Sequence, residues 1–151
     1  MTRRAYRTRD DRGSAVVEMV WLGFLLLVPL TWVVVSVFDV QRGAFATTSA
    51  ARSAARAYAL APTDAAGARA ATEAARQALA DQGVRDVPVE VAVSCTPYPR
   101  QCHSGTSVIT VRVDTAVDLR LPDVLGGGRP TFSLDATHTV PIGQYQEVTG
   151  G

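Results

Sequence analysis

The chain has 151 residues, 47% of them hydrophobic, and its fifteen basic and fourteen acidic side chains leave a formal net charge of +1. That balance excludes the basic field that holds nucleic acid, and the length leaves room for one small domain once a membrane segment is set aside. All fifteen basic residues are arginine and alanine is abundant, a compositional bias that by itself names no function.

The chain opens on an arginine cluster, Arg3, Arg4, Arg7, Arg9 and Arg12, partly offset by Asp10 and Asp11. Then come Gly13-Ser14-Ala15-Val16-Val17-Glu18 and a run from Met19 to Phe38, twenty residues without a charge. At the helical rise such a run spans roughly 30 Å, the hydrocarbon thickness of a bilayer, and predicts one transmembrane helix. Pro29 lies inside it as a kink, tolerated in lipid because neighbouring helices, a hydroxyl such as that of Thr31, or local adjustment can satisfy the freed carbonyl. Only Asp39 and Arg42 follow the run closely, so the charge asymmetry predicts a cytoplasmic amino terminus and an extracytoplasmic remainder. Glu18 stands at the mouth of the span, where a carboxylate needs a reason: a charge at mid-bilayer costs from about 2.5 kcal/mol upward, which makes an ionisable residue there a functional hypothesis.

From Asp39 to Ala61 there is no proline, and alanine recurs at 44, 46, 50, 51, 54, 55, 57, 59 and 61, which predicts that the membrane helix continues beyond the bilayer. Phe45, Tyr58 and Leu60 are its only large apolar groups. Its small side chains let another backbone come close, either from its own domain or from a neighbour, or else form a stalk with no partner. Pro62 stops this helix, Thr63 or Asp64 can cap a second one that runs to Gln82, and Gly83 ends it. Arg69, Glu73 and Arg76 fall at helical spacings and read as a solvated face.

The period then changes to two. Val87, Val89, Val91, Val93 and Cys95 alternate with Pro88, Glu90, Ala92 and Ser94; Ile109, Val111 and Val113 alternate with Thr110, Arg112 and Asp114; Phe132, Leu134 and Ala136 alternate with Ser133 and Asp135. This predicts a small, half-buried antiparallel sheet of about three strands, hence an α+β class. Cys95 and Cys102 enclose the loop Thr96-Pro97-Tyr98-Pro99-Arg100-Gln101. In an exported domain they read first as a disulfide tying the first strand to the approach of the second, with a pair of free thiols or a metal site as alternatives. A metal site lacks ligands, since only His103 and His138 are at hand. Gly126-Gly127-Gly128 and Pro130 read as a flexible turn, because the strand, lysine and following helix of a phosphate loop are missing. His103, His138 and Asp135 are not set in any nucleophile elbow, zinc-protease helix or paired-carboxylate motif, so no enzymatic activity, cofactor or small-molecule substrate is expected, and His138 reads as a structural or exposed strand residue.

A basic leader ending in glycine, a glutamate five residues after it, an apolar helix with an alanine-rich extension and a small exported sheet together resemble the type IV pilin-like proteins. Within that group, Gly13-Ser14-Ala15-Val16-Val17-Glu18 and Pro29 look like the TadE family of tight-adherence (Flp) pilus assembly proteins, minor pseudopilins. The likeness covers roughly Arg12 to Arg56; beyond that it is architectural. It implies cleavage by a prepilin peptidase between Gly13 and Ser14, with Glu18 as fifth residue of the mature chain, able to neutralise the new amino group on an adjacent subunit. It also implies as partners the cytoplasmic membrane, that peptidase, the major pilin, another minor pseudopilin and the membrane platform of pilus assembly. Met19 stands where major pilins of this system usually carry tyrosine, which fits a minor component.

The expected organisation is a cytoplasmic leader over 1–13, the membrane helix and its extension over 14–61 with the span at 19–38, and an exported α+β domain over 63–151. Two rivals stand beside it: a secretory signal cut at Ala44-Phe45-Ala46 that frees a soluble domain, and a simple uncleaved anchor for a surface domain of binding function, with the Pro97 to Gln101 loop as its contact.

Overall fold

The computed structural model describes residues 12–119, 128 and 130–143, and it is an α+β fold. In chain order the elements are α1 (Arg12–Ala59), α2 (Asp64–Asp81), β1 (Val89–Thr96), β2 (Val108–Asp118) and β3 (Thr131–Pro141). The leader as far as Asp11 lies outside the described residues, as do Gly126 and Gly127 of the expected turn. Two compact units make up the chain, Met1–Val37 and Phe38–Gly151, so the alanine-rich half of α1 belongs with the sheet rather than with the apolar run.

In the first unit α1 passes through Pro29 without interruption. Proline removes the donor to the carbonyl four residues back, that of Leu25. The Thr31 hydroxyl does not replace it: Thr31 Oγ1 donates to Leu27 O at 2.8 Å, the carbonyl its own backbone turn already serves. Nearly all the large apolar side chains from Val16 to Phe38, among them Trp21, Phe24, Leu25 and Leu26, are exposed; Trp32 is half-buried. The helix is long and apolar enough to cross a membrane, and none of its most apolar window is buried inside the protein. That apolar stretch of α1 is therefore not part of a core.

The second unit answers the question raised by the alanines. Gly43, Ala46, Thr47, Ala50, Ala51, Ala54, Ala55 and Tyr58 advance by alternating steps of three and one along α1, and every one is buried. Steps of that kind keep residues on one helix face. The stripe joins Ala71, Ala75 and Leu79 of α2 and Ile109, Val111 and Val113 of β2 in a single core. Alanine contributes little apolar area, but it lets helices and sheet approach closely enough for backbone atoms to share the packing. The approach is close at Gly43, where a Cβ would lie 2.5 Å from Val117 Cγ2 and 2.7 Å from Leu134 Cδ1. The packing partner of the small-residue face is thus the chain's own domain.

Thr63 caps α2, its hydroxyl accepting from Ala66 N at 3.2 Å, which leaves Asp64 free for another task. At the other end Gly83 adopts φ +80°, Gly83 N donates to Ala80 O at 3.0 Å and Val84 N to Leu79 O at 2.9 Å. These are the two bonds of a Schellman stop. Arg69, Glu73 and Arg76 are exposed, as their spacing suggested.

The sheet runs β1-β2-β3, both pairs antiparallel, with Val91 opposite Val113 and Val113 opposite Ala136. Strand limits differ from those read in the sequence. The first begins at Val89 rather than Val87, since Pro88 has no N–H to give a ladder. The second extends to Asp118 and the third to Pro141, each past the point where strict alternation fades, because two-sided pairing holds β2 and the β2 ladder holds β3. Helix α1 ends at Ala59, two residues before the expected stop, because Ala61 N turns back to Tyr58 O at 3.2 Å.

Candidate functional site

Two places in the chain concentrate chemistry, one in each unit. In the first, Gly13 and Ser14 fall in the first turn of α1, and Glu18 follows Ser14 by four residues. Four residues is one helical turn, so positions 14 and 18 share a face. A helix's first turn has N–H groups with no partner inside the helix and frays easily, so the backbone at Gly13 can open for a protease without unfolding anything downstream. Glu18 is exposed, and the uncharged run begins at the next residue. Pro29 lies three turns further on and takes no part in this cluster.

The second place is a junction that sequence reading did not find. Tyr58 closes the buried face of α1, Asp64 opens α2, and Cys102 and His103 sit in the loop between β1 and β2. Cys95 and Cys102 form the disulfide, with Cα atoms 5.4 Å apart, and both are buried. Asp64 draws the three pieces together: Oδ2 accepts from Cys102 N at 3.3 Å and Oδ1 lies 2.6 Å from His103 Nδ1. His103 Nε2 lies 3.0 Å from the Tyr58 carbonyl, and the imidazole stacks on the Tyr58 ring with centroids 5.3 Å apart and planes 16° from parallel. Both ring nitrogens are taken up by the protein, so the imidazole works as a clamp between the end of α1 and the start of α2. The only signals available in the sequence were the adjacency of Cys102 and His103 and the redundancy of two capping residues, Thr63 and Asp64.

Tyr58 is 4% exposed. Its phenol is pushed up to about 12 by burial first, then by the nearby Asp64 charge and by hydrogen bonding to Asp64. A group whose folded-state value is raised contributes stability that is complete below its ordinary value, near 10, and is lost as pH rises through 12. Over that interval the full chain in detergent should lose on the order of 2 kcal/mol from this one group. Thermal melts between pH 9 and 12 check it, and Tyr58→Phe should flatten that alkaline slope; an equal slope in the variant would contradict the assignment.

His138 lies on β3 opposite Val111, half-buried on the core side of the sheet. The Pro97 to Gln101 loop is exposed throughout, and its own five residues line a shallow open hollow. On the outer face of the sheet Arg112 forks onto Asp114 with contacts of 3.0–3.1 Å and reaches Asp135 at 3.4 Å. These are exposed pairs, worth little to stability. Comparison with known proteins returns no match to this chain among family models, curated proteins or solved structures.

Proposed function

We propose that this chain is a TadE-like minor pseudopilin, a structural, non-enzymatic component of tight-adherence pilus assembly. In this reading it crosses the cytoplasmic membrane once, with its amino terminus in the cytoplasm and its α+β domain outside. The observation that carries the reading is the placement of Glu18, one helical turn after Ser14 and directly before twenty uncharged residues, none of which is buried in the fold. A carboxylate at that depth has a purpose if the chain is cut after Gly13, because the new amino group of Ser14 is then a cation for it to pair with, on the same or an adjacent helix.

The secretory-signal rival fits less well with the packing. Ala44-Phe45-Ala46 lies in mid-helix, and Gly43, Ala46 and Thr47 are buried on either side of the bond in question. A cut there would sever Gly43 and Ala46 from the buried stripe they form with Thr47 and the residues after it.

The test is the amino-terminal sequence of the protein recovered from membranes of cells with and without a prepilin peptidase. A peptidase-dependent terminus at Ser14 is expected. A terminus at Thr47 would make this a secreted domain, and an intact leader in both strains would make it a plain anchored protein. As a second arm, Glu18→Ala should insert in the membrane normally and yet fail to enter the assembly; normal incorporation would count against the role given to that carboxylate.

A further inference from the structure

We infer that the outward face of α1 just past the apolar run binds the zwitterionic headgroup of phosphatidylethanolamine, with Arg42 on its phosphate and Asp39 on its ammonium. This rests on the reading of Met19 to Phe38 as a membrane span and is independent of the pilus reading.

Phe38, Asp39, Gln41, Arg42 and Phe45 are all exposed and line one open hollow. Phe45 follows Gly43 of the buried stripe by two residues, roughly 200° around the helix, so it points away from the domain core. Phe38 lies seven residues before Phe45, two turns back on the same face. The two rings are 64% and 72% exposed, so the fold itself covers neither of them.

Their place along the helix identifies what does. With 19–38 across the hydrocarbon, residues 39–42 take up about the next 6 Å of helix, and the polar layer on one side of a bilayer is roughly 5–8 Å deep. Phe38 then marks the acyl boundary, a level suited to an apolar ring. Side chains on a helix lean toward its amino-terminal end, which here is the membrane side, so the Phe45 ring leans back toward Arg42.

The charges between the rings select the headgroup. Asp39 and Arg42 stand at i and i+3, a spacing at which opposite charges can close on each other. They do not: the ion pairs among the described residues join His103 to Asp64, and Arg112 to Asp114 and Asp135. The hollow therefore presents a separate anion and cation framed by two apolar rings. Phosphatidylethanolamine carries the complementary set, a phosphate for the planar guanidinium fork and an ammonium with three N–H donors for the carboxylate. Phosphatidylglycerol brings the phosphate without a cation and leaves Asp39 facing an anion. Phosphatidylcholine brings a cation that has no N–H to donate.

The experiment uses the full chain in detergent micelles doped with equal amounts of these three lipids, and native mass spectrometry reads which lipid stays bound. The wild type should retain phosphatidylethanolamine roughly five-fold over either of the others. Arg42→Gln should abolish that preference, and Asp39→Asn should turn it toward phosphatidylglycerol. Arg52→Gln, exposed on the same helix more than two turns further on, should change nothing. Any other preference in the wild type, or one that survives Arg42→Gln or Asp39→Asn unchanged, overturns the proposal. Flotation with liposomes after an alkaline carbonate wash separates it from the reading beneath it. A chain that floats but shows no headgroup preference overturns this inference alone, whereas a chain stripped off by the wash overturns the membrane span as well.

Discussion

Tyr58→Ala is expected to destabilise the second unit by about 3–5 kcal/mol, a large share of the roughly 5–15 kcal/mol that holds a typical domain together. The size follows from two losses at one position. The ring is 4% exposed and is the largest side chain on a face otherwise made of alanine, glycine and threonine, so its removal opens a cavity that these small side chains cannot fill. His103 loses the surface on which it stacks. Gly67 reports on the same ring: a Cβ there would lie 3.0–3.2 Å from Tyr58 ring carbons. Gly67→Ala should therefore yield less than the helix-propensity gain of about 1 kcal/mol in the native chain and recover the full gain in the Tyr58→Ala background. Trp21 and Trp32 both lie in the first unit, so amide hydrogen exchange of β2 against urea is the direct measurement on this domain. A loss under about 1 kcal/mol would show that the junction is peripheral to the fold.

Leu79→Ala is expected to cost about 4 kcal/mol, in the upper part of the range for buried leucines. Leu79 is 1% exposed and is the one large apolar residue on the buried face of α2, where Gly67, Ala71 and Ala75 are the others. It shares one core with the alanines of α1, whose short side chains cannot swing into a gap, and the Schellman turn fixes the backbone that carries it, through Val84 N on the Leu79 carbonyl. Cavities that cannot collapse are the costly ones. Leu79→Met keeps the volume and should cost less than about 1.5 kcal/mol, so a variant pair with similar losses would refute the cavity argument.

Local signals carried the element types: the uncharged run from Met19 to Phe38, the Thr63 cap and Gly83 stop around α2, and the period of two in all three strands reappear in the fold. So did the Cys95–Cys102 disulfide, since two cysteines admit one intrachain pairing. Boundaries were less legible, as at Val89 and Pro141, because the length of a strand depends on what it pairs with rather than on its own side chains.

What the sequence determined by itself is what adjacent residues decide among themselves: helix against strand, where each helix is capped, and one helix apolar and long enough to cross a membrane. Only the tertiary structure decided that the alanine face of α1 is the core of its own domain, since small side chains suit any close neighbour equally and nothing local names which. It alone drew Tyr58, Asp64, Cys102 and His103 into one junction, because their partners lie 38 to 45 residues apart along the chain and no spacing encodes such contacts.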